Sequence, residues 1–307
     1  MSKAAAANCR VILLVFVAAN LAIAQDLTPR AYLITPTSSN AVTVSSSWNR
    51  GDISFDPALP IENSTGSFQV PVLSLYHSYG LLGRSSNIVV SLPYAVGNFQ
   101  ADIAGSRQHV YRSGLADARV RVAINLRGGR AMKLREFLQW REKGLVGASL
   151  TLVIPTGQND PARAINPGTN RWAFKPEMGI TRRWSRWLAE AHGGVWFFRP
   201  NRSFFPGDSM RTQSPMMSLE GHFGYYLKPR LWVSLDGNFW NGGRTSVNGL
   251  PKQDLQRNSR IGVSFSTPVS RHQSLKISYS RGTYVSIGGD FQTVSAAWQY
   301  SWIGMPR

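Results

Sequence analysis

The run Ala118-Arg119-Val120-Arg121-Val122-Ala123-Ile124-Asn125-Leu126 has one apolar and one wet face if it is extended, and neither if it is helical. Side chains of a strand alternate, so Val120, Val122, Ile124 and Leu126 share one side and Arg119, Arg121, Ala123 and Asn125 the other. Arginines at alternate positions, opposite an unbroken aliphatic face, suit a strand with lipid on one side and water on the other. Residues 231–240 repeat the pattern, with Leu231, Val233, Leu235 and Phe239 opposing Ser234, Asp236 and Asn238. So do residues 274–280, where Leu275, Ile277 and Tyr279 oppose Ser274, Lys276, Ser278 and Ser280. The same test gives twelve strands, near residues 40–48, 68–78, 87–94, 117–126, 146–155, 171–182, 187–197, 214–227, 231–240, 258–268, 273–282 and 291–302. Most approach the roughly 9–11 residues that a tilted spanning strand needs. The predicted fold is all-β: a transmembrane antiparallel up-and-down β-barrel of about twelve strands.

The connections agree with this. Spanning barrels join their strands by long loops on one side and short periplasmic turns on the other. Segments 49–67, 95–116, 156–170, 198–213 and 241–257 are long and rich in Gly, Asn, Pro and Arg, whereas 79–86, 183–186, 228–230 and 269–272 are short. The rhythm breaks at 127–145, where residues 132–141 read as one short periplasmic helix. Aromatics at strand ends, namely Trp48, Tyr94, Trp172, Trp187, Phe197, Phe198, Tyr225, Trp240 and Trp302, read as interface girdles. Aromatics are also enriched in strands generally.

Ahead of the strands, Lys3 and Arg10 precede the apolar run 11–19, and Ala22-Ile23-Ala24 supplies a small-x-small pattern. Residues 1–24 are therefore expected to be a signal peptide, and the run is too short to span a hydrocarbon core of about 30 Å. The predicted organisation continues with a periplasmic N-terminal segment (25–39), the barrel (40–302) and a C-terminal tail (303–307). Cleavage would remove Cys9, the one cysteine, leaving no disulfide or thiolate chemistry. The formal charge is +18, and loss of Lys3 and Arg10 leaves +16. In an exported chain this excess points to lipid phosphates, surface polysaccharide or anionic solutes, not to nucleic acid. The expected location is the cell outer membrane, and the expected partners are its lipid and lipopolysaccharide, a small-molecule solute and the barrel-assembly machinery.

Residues 147–179, GASLTLVIPTGQNDPARAINPGTNRWAFKPEMG, closely resemble the outer-membrane transporter family of the phenol meta-cleavage pathway (the phenol-degradation meta-pathway protein family). Matching pieces include Pro29-Arg30-Ala31-Tyr32, DPALPIEN (56–63), SLPYAVG (91–97), SGLADARVRVAINL (113–126), GVWFF (194–198), NSRIGVSFSTP (258–268), HQSLKISYS (272–280) and AAWQYSW (296–302). The resemblance implies a membrane barrel that passes small, often aromatic or hydrophobic, compounds. One departure is the Ile303-Gly304-Met305-Pro306-Arg307 tail, since barrels of this kind usually end on an aromatic.

Lumen candidates follow from the alternation. Arg171, Lys175 and Glu177 share a face, as do Glu190 and His192, and Glu220 and His222; Asp236, Arg260 and Lys276 come next, and Arg119, Arg121 and Asn125 lie across the sheet. Neighbouring antiparallel strands would gather them into a charged belt. That belt is either a paired network holding a polar interior together or a selective constriction. Glu190-x-His192 and Glu220-x-His222 also offer two imidazoles and two carboxylates that could suit zinc. Neither spacing is a closed-site signature, so no metal and no cofactor are assigned. There is no G-x-S-x-G, P-loop, dinucleotide or EF-hand signature, which argues against an enzyme. The function expected is passive uptake; a structural or binding barrel is the alternative, and an outer-membrane hydrolase a weaker one. The 25–40 segment and the 127–145 helix are the two candidates for a lumen plug.

Overall fold

A computed structural model describes residues 27–56, 61–103, 105–141, 143–163 and 165–304. The expected signal peptide, 1–24, and most of the expected 303–307 tail lie outside the described residues. Within them the chain forms a closed antiparallel barrel of twelve wall strands. In order the strands are β1 (Ser39–Ser54), β2 (Ile61–Leu81), β3 (Arg84–Ile103), β4 (Ser106–Leu115), β5 (Ala118–Arg127), β6 (Gly144–Ile154), β7 (Ala173–Trp184) and β8 (Trp187–Phe198). Then come β9 (Asn201–Phe204), β10 (Ser209–Gln213), β11 (Met216–Lys228), β12 (Leu231–Gly242), β13 (Thr245–Val247), β14 (Leu250–Pro251), β15 (Gln256–Pro268), β16 (Gln273–Val285) and β17 (Gly288–Ile303).

β4 and β5 count as one wall strand interrupted at Ala116 and Asp117: β4 pairs with residues 94–103 of β3, and β5 with residues 86–91. Closure comes from β1 against β17, in unbroken register from Ser39 opposite Ile303 to Ser54 opposite Gly288. All twelve wall strands coincide in order with the alternating runs of the sequence. Outward positions keep large apolar side chains exposed, among them Leu75, Leu92, Ile180, Leu235, Val263 and Ile277. Inward positions are buried and polar, as with Asn125, Glu177, Ser234 and Ser280. An inverted pattern of this kind is stable only where the surroundings are apolar, that is, in lipid.

Four features depart from expectation. Segments 49–67 and 95–116 are mostly strand, because β1–β2 and β3–β4 run on as paired hairpins beyond the apolar band. Segments 198–213 and 241–257 contain a second sheet, ordered β14-β13-β10-β9, over the long-loop end. Its buried Phe204 and Val247 pack with Phe55 and Phe205, giving the small sheet an apolar underside at that end. Trp240, expected in a girdle, is 2% exposed and packs inside the barrel with Val153, Ala173, Trp196 and Met216. It shares the parity of Asp236 and Asn238, which is the inward one.

The single helix among the described residues, α1 (Leu134–Gln139), falls where expected, on the connection at the short-turn end. Partly buried Phe137 and Trp140 pack there against buried Ile34, Met132 and Leu145. The stretch read as a periplasmic segment does not stay outside. From Leu27 to Ser38 it contacts the barrel interior before leaving as β1.

Candidate functional site: a plugged, charged lumen

The N-terminal stretch is held by side chains from six wall strands, β5, β6, β7, β8, β11 and β12. Tyr32, 1% exposed, hydrogen-bonds Ser149 of β6 at 2.9 Å and donates to the Glu177 carboxylate of β7 at 3.0 Å. Its ring lies against Gly147 and Gly179, where any added Cβ would overlap it. These two glycines make room for the ring. The Arg121 guanidinium caps the Tyr32 ring at 4.8 Å, and its Nη1 donates to the Ala31 carbonyl at 3.2 Å. Below, the Arg30 amide donates to Glu190 at 2.7 Å, and the Arg30 guanidinium sits over Tyr226 and Trp232 at 5.2 and 5.1 Å. Thr28 donates to Glu220 at 3.1 Å. Of the two candidate plugs, the N-terminal segment is seated among the charged lumen side chains, and the helix lines the same lumen cavity through Leu134, Phe137, Leu138 and Trp140.

The predicted belt residues separate into three groups. Lys175, Glu177, Glu190, His192, Glu220, His222 and Asp236 meet in one buried network across β7, β8, β11 and β12. Lys175 pairs with Glu177 at 2.6 Å and Glu220 at 3.7 Å, and Arg121 of β5 reaches Glu177 at 3.8 Å. His222 Nδ1 lies 2.9 Å from Asp236, which also accepts from Ser234 at 2.9 Å and Ser264 at 2.6 Å. Asn125 is buried nearby, beneath Gly129 and Ile34.

Arg119, Arg260 and Lys276 belong elsewhere, to the opposite half of the lumen. A cavity of about 2110 Å³ occupies that half, walled mainly by β1, β2, β16 and β17. Small hydroxyl residues such as Thr43, Ser45, Ser74, Ser278 and Ser295 line it together with Val70, Val72 and Val89. Arg260 holds its upper wall, donating to Ser280 at 2.8 Å, Thr293 at 2.9 Å and the Phe291 carbonyl at 3.1 Å. Above it, Ile53 and Phe291 pack with Phe68 and Phe99. The lining extends down to the short turns at Arg186, Pro229 and Arg271. It carries many cations and, among the described residues, no Asp or Glu.

Arg171, expected beside Lys175, lies before β7 starts and joins the long-loop end instead. There it bonds Gln213 and covers the Phe198 ring at 4.6 Å. Burial lowers its basicity, helped by the nearby Arg211 charge, and burial alone brings Arg211 down to about 10 against the pull of Asp254.

What sequence reasoning missed is the plug's own contribution: Thr28, Arg30 and Tyr32. Beyond the 25–40 segment's standing as a candidate plug, Arg30 and Tyr32 had a signal in the family-like Pro29-Arg30-Ala31-Tyr32, and Thr28, just before it, had none.

The sequence profile of the family described as "Putative MetA-pathway of phenol degradation" matches residues 77–300. The chain belongs to that family. No curated protein matches it. Among solved structures, the COG4313 outer membrane channel from Pseudomonas putida F1 is similar at a TM-score of 0.75 and 16% identity, over 90% of this chain and 100% of that one. The transport unit of the autotransporter AIDA-I from Escherichia coli follows at a TM-score of 0.52 and 8% identity, over 98% of each chain. A TodX monoaromatic hydrocarbon channel, a deletion mutant, gives 0.50 and 9% over 88% and 91%. At these identities the likeness is one of fold, and the shared fold is that of an outer-membrane barrel.

Proposed function

We propose that this family member is an outer-membrane channel for passive uptake of small compounds that join an apolar, often aromatic, body to a negative charge. The observation that carries this reading is the 2110 Å³ cavity, with its mixed hydroxyl and valine wall and no described carboxylate. Summed positive charge on a low-dielectric wall raises the local concentration of anions. Valines and the Trp232 and Trp302 rings of the same lining suit an apolar body. The outer-membrane setting of the similar channels and the hydrocarbon named for TodX support it.

Reconstituted protein in a planar bilayer tests this directly. Conductance steps should show anion preference, and benzoate should carry more current than an aromatic ammonium of similar size. Cation preference would overturn the reading. The seated N-terminal segment and the outer sheet favour a second reading, a closed barrel that transports nothing. A chain lacking residues 27–37 separates the two, since a channel should then conduct more and a closed structural barrel should stay silent.

A further inference from the structure

We propose that His192, Glu220 and His222 form a binding site for a zinc-class transition metal in the barrel wall, directly beneath the N-terminal segment. This goes beyond the transport reading and stands whether or not solute passes.

Cross-strand pairing builds the site. Glu220 of β11 lies opposite His192 of β8, and His222 lies two residues further along the same face. One donor atom from each of the three falls within 4.8 Å of the others, and all three residues are buried. Tetrahedral zinc with Zn–N and Zn–O bonds of about 2.0–2.2 Å separates its ligand atoms by roughly 3.3–3.5 Å. Side-chain rotation can close that difference without moving the strands.

Two further observations point to an occupant. His192 is 3% exposed, yet neither of its ring nitrogens has a hydrogen-bond partner, while Nε2 of His222 already faces the Glu220 carboxylate at 3.6 Å, so that the second and third donors are turned toward each other. Buried polar atoms are normally satisfied, and a metal ion accepts what these nitrogens offer. Secondly, the other nitrogen of His222 is fixed on Asp236, itself fixed by Ser234 and Ser264. A carboxylate behind a ligating imidazole sets the tautomer that leaves Nε2 free to bind, and strengthens it as a donor. Two imidazoles with one carboxylate favour zinc, copper or nickel over magnesium or calcium. Three protein ligands leave a fourth position for water.

The location ties the metal to the plug. Thr28 donates to Glu220 at 3.1 Å, and the Tyr32 ring meets His192 edge-on at 4.9 Å. An ion at this point cross-links β8 to β11 and fixes the ligands on which the segment rests.

The test uses the folded, chelator-stripped full barrel titrated with cobalt and then zinc. One equivalent should bind, cobalt should give the visible absorption of a tetrahedral site, and zinc should abolish it. His192→Ala and His222→Ala should lose the equivalent, while His77→Ala and His109→Ala, at exposed sites, should keep it. Asp236→Asn should weaken binding about 10–100-fold. His192→Gln, which forfeits no hydrogen bond, covers the case in which an alanine variant does not fold; gel migration before and after boiling reports folding. Failure of the wild type to bind one equivalent overturns the proposal. So does binding that survives His192→Gln, which would mark the metal as adventitious.

Discussion

Tyr32 shows how one side chain sets the state of the lumen. Its hydroxyl donates to a charged, buried acceptor, and such bonds contribute about 1.5–3 kcal/mol. Tyr32→Phe should therefore free the segment part of the time, seen as a rise in open probability in the bilayer. Gly179→Ala should act the same way by a different cause, since its Cβ would overlap the ring and overpacking costs about 1–3 kcal/mol. If the Tyr32 clash is the reason, adding Tyr32→Ala should abolish the difference between Gly179→Ala and the parent; a persistent difference would assign the effect to His192, whose Cδ2 lies 2.9 Å from that Cβ, or to the strand itself. The two partners were unequally legible. Glu177 was readable, because a carboxylate at an inward parity must face water or a partner. Tyr32 was not, because its segment neither alternates nor forms a helix, and nothing local says which wall it meets.

Elements were legible as far as lipid reaches. Alternation marks the part of a strand that has an apolar side, so β5, β12 and β16 were plain from their residues. Beyond the band both faces meet water, and β1, β2, β3 and β4 continue as hairpins held by ladder hydrogen bonds that leave no period in hydropathy. Trp240 is the instructive failure: its residue type suggested the interface, while its parity with Asp236 placed it inside. The break between β4 and β5 has its own logic. Asp117 sits there and accepts from the amides of Gly157 and Thr169 at 2.9 and 2.8 Å and from the Thr169 hydroxyl at 2.5 Å, pinning the 156–170 loop to the wall. Asp117→Ala leaves those donors unsatisfied, about 1–3 kcal/mol each. Trypsin should then cut after exposed Arg163 at least several times faster, with the heat-shifted gel migration of the barrel retained. An unchanged cleavage rate would show that the loop holds itself.

Across the whole molecule, charge is sorted by side: carboxylates gather where the N-terminal segment is seated, and the open half keeps cations alone among its described residues. Two arginines two residues apart on β5 fall on opposite sides of that division, so the same substitution should do different things. Arg121 is bound to the plug through the Ala31 carbonyl, the Tyr32 ring and Glu177. Arg121→Ala removes a charged donor from the segment, about 1.5–3 kcal/mol, which corresponds to a roughly 10–150-fold larger open fraction. Ion preference should change little, since the open half keeps its cations. Arg119 lines the cavity instead. Arg119→Ala should leave the open fraction alone and move the reversal potential in a salt gradient toward zero, because it takes one positive charge from the wall that concentrates anions. Raising the salt should shrink that shift, as screening lengths fall from about 10 Å at 0.1 M to 3 Å at 1 M. Should both variants change selectivity and neither change gating, the lumen acts as one charged ring and the division into plug and path fails. If instead each moves its own observable, β5 carries the gate on one arginine and the selectivity on the next inward-facing one.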